Sequence, residues 1–173
     1  MGLNENRLNF KSGELELEGL LAPAGRRGAV LAHPHPLLGG NMRDHVLMAA
    51  AEAFNAAGFS TLRFNFRGIG RSEGFFDNGK GEVQDLLSAV NFLRSIGYDE
   101  VLVAGYSFGA WVGCEAAAVE NVSDLILISP PLLEMPFRFS RCRVGLAVAG
   151  DSDPLCPIKD LEGAAAAHGF GVA

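Results

Sequence analysis

Short apolar runs alternate with amphipathic stretches along most of this chain, and that alternation limits it to few architectures. Ala29–Ala32, Ser60–Phe66, Val101–Tyr106, Asp124–Ile128 and Val144–Ala149 read as strands, several of them apolar throughout. Continuous apolar runs of that length suit strands buried on both faces. Between them lie helical patterns. Asp44–Ala57 has Asp44 as its N-cap candidate and Gly58 as its stop. Gly81–Ile96 carries Val83, Leu86, Leu87, Val90 and Leu93 on one stripe. Phe108–Val119 and Pro157–His168 complete the set.

Upstream, Leu8–Lys11 and Glu14–Leu21 read as a hairpin turning at Ser12-Gly13. Leu15, Leu17 and Gly19 alternate with Glu14, Glu16 and Glu18, which keeps one face wet. The expected fold class is therefore α/β. It is a mostly parallel sheet with helices on both faces and an antiparallel N-terminal hairpin. Ligands in such sheets bind beyond the C-terminal ends of the strands, so the loops after the strands carry the search for chemistry.

Composition sets bounds. The 173 residues predict one domain spanning 1–173, and 49% apolar content excludes a disordered chain. Lys and Arg number 14 against 20 Asp and Glu, a net −6 without long like-charged runs, which argues against nucleic-acid partners. No apolar stretch approaches about 18 residues, so no membrane span is expected. The N-terminus lacks a signal-peptide pattern. The three cysteines, Cys114, Cys142 and Cys156, are an odd number without metal spacing, and the default is a reduced, cytoplasmic setting. The histidines lack metal-site spacing as well, so no metal and no cofactor is expected. Gly68-Ile69-Gly70-Arg71-Ser72-Glu73 follows a strand but lacks the third glycine of a dinucleotide loop.

The loop after Val101–Tyr106 reads Gly105-Tyr106-Ser107-Phe108-Gly109, a G-x-S-x-G pattern between a strand and a helix. Small residues let the backbone turn sharply and lift the serine hydroxyl out of the turn. The same pattern could also be a plain glycine-rich strand-to-helix turn.

Three further stretches stand at strand ends: His33-Pro34-His35-Pro36 with Gly39-Gly40-Asn41-Met42, then Asn65 to Gly74, then Gly150-Asp151-Ser152-Asp153-Pro154. Together with the serine turn, the chain resembles the α/β-hydrolase superfamily. Within it, the chain is most similar to small bacterial dienelactone-hydrolase-like and serine-aminopeptidase-like hydrolases, from about Leu8 to the last residue. That resemblance implies a serine hydrolase of small carboxylic esters or related acyl compounds. Ser107 would be the nucleophile and Asp153 the acid, with Asp151 as the competitor. The backbone N–H groups of Phe108 and His35 would form the oxyanion hole, since Pro34 and Pro36 have no N–H. Arg67 and Arg71 would brace nearby carboxylates, and an anion-binding role for Arg63, Arg67 and Arg71 is the alternative.

The resemblance also exposes a departure. The family's catalytic histidine follows one further strand, and here only Gly169–Ala173 follows the last helix. The fold is therefore expected to be C-terminally short, with the sheet ending at Val144–Ala149. Its open apolar edge would invite a homodimer. His168 is expected at the far end of its helix, about 16 Å from the active edge. His33, His35 and His45 lie on the oxyanion side and are the candidates for a substitute base. Two readings remain: a shortened serine hydrolase, or a catalytically silent binding or scaffold protein. The apolar segment Ser129–Arg143, with Leu37, Leu38, Phe75 and Phe76, could line an acyl or alcohol pocket or simply close the core.

Overall fold

The computed structural model describes residues 2–120, 122 and 124–173. Its strands are β1 (Asn6–Ser12), β2 (Leu15–Ala22), β3 (Arg27–Ala32), β4 (Phe59–Phe64), β5 (Val101–Tyr106), β6 (Leu125–Ile128), β7 (Val144–Val148) and β8 (Gly171–Val172). Its helices are α1 (His45–Ala56), α2 (Lys80–Ser95), α3 (Phe108–Ala117) and α4 (Ile158–His168). The strands form one sheet in the order β1-β2-β4-β3-β5-β6-β7-β8. The hairpin joins antiparallel to β4, and every pair from β4 through β3 to β8 is parallel. This is the α/β architecture the alternation predicts.

Local chemistry places the boundaries. The Asp44 carboxylate accepts from the amides of Val46 (2.9 Å) and Leu47, so it caps α1 as expected. At α2 the buried Glu82 carboxylate accepts from the amides of Asp77 and Gly79 and closes the first turn. β4 stops at Phe64, two residues short of the sequence expectation. The reason is that the amide of Phe66 is taken by the His33 ring rather than by a neighbouring strand.

The sheet separates two apolar layers. Leu62, Phe64, Leu86, Val90, Leu93, Val103, Val112, Leu127 and Leu161 belong to the larger one, where α2, α3 and α4 pack. Ala29, Leu31, Leu47, Ala51 and Ala104 form the smaller one under α1. Beyond α1 on that side runs a groove of about 530 Å³ lined by Phe54, Ile126, Ile128, Leu146 and Val148, among others.

Two expectations need correction. The sheet does not end at β7: Gly171 and Val172 pair in parallel with Leu146 and Ala147, so the outer edge expected at Val144–Ala149 is partly covered by β8. Ladder bonding requires only backbone groups, so two residues are enough. Second, Cys114 in α3 and Cys142 just before β7 form a disulfide, with Cα atoms 5.5 Å apart, while Cys156 is free and buried. That pairing differs from the three thiols of a reduced setting. The two cysteines are 28 residues apart, and only the packing of α3 against the segment entering β7 brings them together.

Candidate active site

β3, β5, β6 and β7 run parallel, so their C-terminal ends share one edge, and each is followed by a residue of interest. The amide of Ser107 donates to Ile128 O (2.9 Å) and that of Ser129 to Val148 O (2.7 Å), which sets the three loop entrances side by side. Ser107 has φ +52° and ψ −116°, a conformation that L-residues avoid. The turn is held by the amide of Ala110 donating to Ser107 O at 2.9 Å. It also depends on two glycines. A Cβ at Gly105 would collide with the carbonyl of Gly109, and a Cβ at Gly109 with that of Ala32. The G-x-S-x-G spacing is thus what the backbone approach between β3, β5 and α3 demands.

The loop after β3 packs against this turn. His33 is fully buried, its Nδ1 lies 2.7 Å from Pro34 O, and its Nε2 accepts from Phe66 N–H at 3.1 Å. This is the neutral ring protonated at Nδ1, and burial pushes its pKa down to about 4. With both nitrogens engaged, His33 has no lone pair for Ser107. His35 Nδ1 accepts from Leu37 N–H (3.2 Å), and the ring packs against Phe76 and Phe108. Its neutral form therefore carries the proton on Nε2. The backbone N–H groups of His35 and Phe108 have no hydrogen-bond acceptor among the described residues, so both remain available to an anionic oxygen.

The loop after β7 brings in the acids. Asp153 Oδ1 accepts from the amides of Leu155 (2.9 Å) and Cys156 (3.2 Å), which fixes the side chain and leaves Oδ2 without a hydrogen-bond donor among the described residues. The helix that follows begins at Ile158, with Pro157 as its cap, so Asp153 orders its own turn and does not cap α4. Asp151 accepts from Ser152 Oγ at 3.1 Å. A cavity of about 470 Å³ is lined by Ser107 together with Tyr106, Ser129, Asp151, Ser152 and Asp153. Burial raises the Tyr106 phenol's pKa, and the charges of Asp44 and Asp153 add to that rise. A second cavity of about 440 Å³ shares Ser107 and Leu155 with the first and is lined by His35, Leu38, Phe108, Pro131, Glu134 and Met135.

The other candidates fall elsewhere. His45 is exposed at the start of α1. His168 ends α4 and its ring packs at a tilt against Phe139, which leads into the start of β7, at the opposite edge of the sheet. Among the described residues, none that lines the Asp153 cavity is a histidine. Arg67 pairs with the fully buried Asp85 (2.7 Å), and that carboxylate raises the guanidinium's pKa. Arg63 pairs with Glu5 (2.6 Å) and donates to Met42 O, tying the loop after β3 to the N-terminal segment. Arg71 meets Glu18 only through its backbone amide, so its side chain does not serve as the expected brace among the described residues. The Arg67–Gly74 loop is a structural clasp, and two of the three arginines of the anion-binding alternative, Arg63 and Arg67, are already paired with carboxylates. Ser72 Oγ donates to Asn65 O, and Glu18 accepts from Asn65 and Arg71.

Sequence reasoning passed over Ser129. It has φ +42°, which is unusual for a non-glycine residue, and it lines the cavity of Ser107 and Asp153. Its position directly after a parallel strand was the available signal.

A strained serine at a strand–helix turn, with two free amides and an acid loop on the same sheet edge, defines the α/β-hydrolase arrangement. The α/β-hydrolase family model matches residues 28–170, and the chain belongs to that family. An α/β serine hydrolase homologue from Coxiella burnetii superposes with a TM-score of 0.88 at 30% identity, over 100% of this chain and 88% of that one. The XC6422 protein of Xanthomonas campestris, a serine hydrolase without a lid, gives a TM-score of 0.88 at 28% identity, covering 100% of this chain and 84% of its own. Protein RP471 of Rickettsia prowazekii is 34% identical over 167 residues, 90% of this chain and 70% of its own length.

Proposed function

We propose that this protein is a serine hydrolase acting on small carboxylic esters or related acyl compounds. The observation that carries the reading is Ser107, held at φ +52° between β5 and α3 and opening into cavities on both sides. Ser107 Oγ adds to the acyl carbon, forming the O–C bond. The carbonyl oxygen becomes an oxyanion between the N–H groups of Phe108 and His35, each donor commonly lowering the barrier by about 3 kcal/mol. The bond to the leaving group breaks, and that group departs with the proton given up by Ser107. Water then hydrolyses the acyl-serine and restores the hydroxyl. Asp153, with Oδ2 free on the same cavity as Ser107, is the acid in this reading, in position to orient a base that takes the serine proton and returns it to the leaving group. The serine hydrolase relatives support the reaction class.

A second reading, a catalytically silent binding protein on the same fold, is favoured by one observation: among the described residues no histidine lines the Asp153 cavity. Intact-mass analysis after incubation with a fluorophosphonate separates the two. The expected result is one adduct, absent in Ser107→Ala. A folded sample that takes up no adduct overturns the hydrolase reading and leaves the binding protein.

A further inference from the structure

The two cavities flanking Ser107 differ in kind. The one toward the acid loop is lined by Asp151, Asp153, Tyr106, Ser129 and Ser152, together with Pro154 and the shared Leu155. The one toward the oxyanion loop is lined by Leu38, Phe108, Pro131, Met135 and the shared Leu155, with His35 and, as the one carboxylate among its described lining residues, the exposed Glu134. We propose that the second cleft is an acyl subsite that takes an uncharged acyl chain of medium length, and that the first receives the polar leaving group and the hydrolytic water. The proposal rests on Ser107 being the nucleophile.

Geometry limits the choices. A reacting carbonyl carbon must approach Ser107 Oγ to about 3 Å, with its oxygen toward the two amides. Its two substituents then point into the two cavities. An alkyl chain in the acid-side cavity would lie against Asp151 and Asp153 and would strip water from Asp153 Oδ2 without replacing its hydrogen bonds. In the other cleft it covers apolar surface, Leu38 above all, which stands 84% exposed. The departing alkoxide or thiolate needs a proton, and deacylation needs water, so both belong in the polar cavity. Overall an ester and one water yield the carboxylic acid and the alcohol, and a thioester and one water yield the acid and the thiol. At about 30 Å³ for a water-sized group, the cleft of about 440 Å³ holds on the order of a dozen carbons. Glu134 at its rim repels acyl chains that end in a carboxylate.

The test uses p-nitrophenyl acetate, butyrate and octanoate. A buried methylene contributes roughly fourfold in binding, and because the cleft is open on one side, kcat/KM is expected to rise at least tenfold from acetate to octanoate. In Met135→Glu, and in Leu38→Glu at an exposed position where folding is not at stake, the octanoate-to-acetate ratio falls at least tenfold. Ser129→Ala, in the other cavity, lowers rates without moving that ratio. A flat or falling series, or a ratio that ignores both substitutions, overturns the proposal. A second readout needs no turnover. Trp111, the only tryptophan, donates to Pro136 O (3.1 Å) and lies against Phe108, so its fluorescence reports on this cleft. Decan-2-one is expected to give a saturable change, at least tenfold weaker in Leu38→Glu. If no ester turns over and no fluorophosphonate adduct forms, the hydrolase reading fails. The ketone titration then still decides the cleft: saturable binding weakened in Leu38→Glu supports an alkyl-chain site, and no binding overturns it.

Discussion

Lowering the pH toward 4 should destabilise this protein through one ring, His33. The imidazole is fully buried, with Nδ1 2.7 Å from Pro34 O and Nε2 accepting from Phe66 N–H. A proton on Nε2 would take the lone pair that Phe66 uses, in a site closed to water. Burial therefore holds the pKa near 4, against 6.5 for the free side chain. Between those values the unfolded chain binds a proton that the folded chain refuses. Folding is thus fully supported above pH 6.5 and loses support as pH falls toward 4. A separation of about 2.5 pKa units corresponds to about 3 kcal/mol.

Carboxylates also titrate in this range, so the effect must be isolated by difference. His33→Gln keeps an acceptor for Phe66 and a donor for Pro34 but cannot ionise. Urea unfolding, followed by Trp111 fluorescence and far-ultraviolet circular dichroism at pH 7 and pH 4, gives four stabilities. The wild type should lose about 3 kcal/mol more than His33→Gln over that interval. Equal losses would mean that His33 is exposed or charged in the folded state, and the assignment of its tautomer would fall with that result.

Three other perturbations follow from the same geometry. Asp85→Ala leaves Arg67 without its partner and Ser12 Oγ without an acceptor, and should cost about 3–5 kcal/mol in urea unfolding. Gly109→Ala drives a methyl group into the carbonyl of Ala32 at a backbone contact that cannot yield, and should lower stability by about 1–3 kcal/mol and abolish fluorophosphonate labelling. Cys156 is fully buried, and burial with the nearby Asp153 and Asp160 charges pushes its thiol up to about 11. Alkylation at pH 8 should therefore give no adduct on the native protein, one after denaturation without reductant, and three after reduction, read by mass. The unfolded thiol ionises near 9 and the folded one near 11, so stability should also decline as pH climbs through that window.

The order and type of the elements were legible in the sequence because burial on two faces, or on one stripe, imprints a period on neighbouring residues. The strand Val101–Tyr106 coincides with β5 residue for residue, and the serine turn, the Asp44 cap and the acid loop stand where local chemistry puts them. Gly105, Ser107 and Gly109 were equally legible, since a backbone crossing of that kind admits few residue types. What came only from the tertiary structure depends on groups far apart in the chain. The Cys114–Cys142 bridge, the Arg63–Glu5 and Arg67–Asp85 pairs, and the pairing of β8 with β7 have no periodic signature, because each is set by how whole elements pack. The histidines show the same division. Their positions on the oxyanion side were visible from strand order, but only the packed loop decides that His33 is neutral, fully bonded and closed to Ser107. A titratable group's role is determined by the donors, acceptors and solvent around it, and the fold alone assembles those.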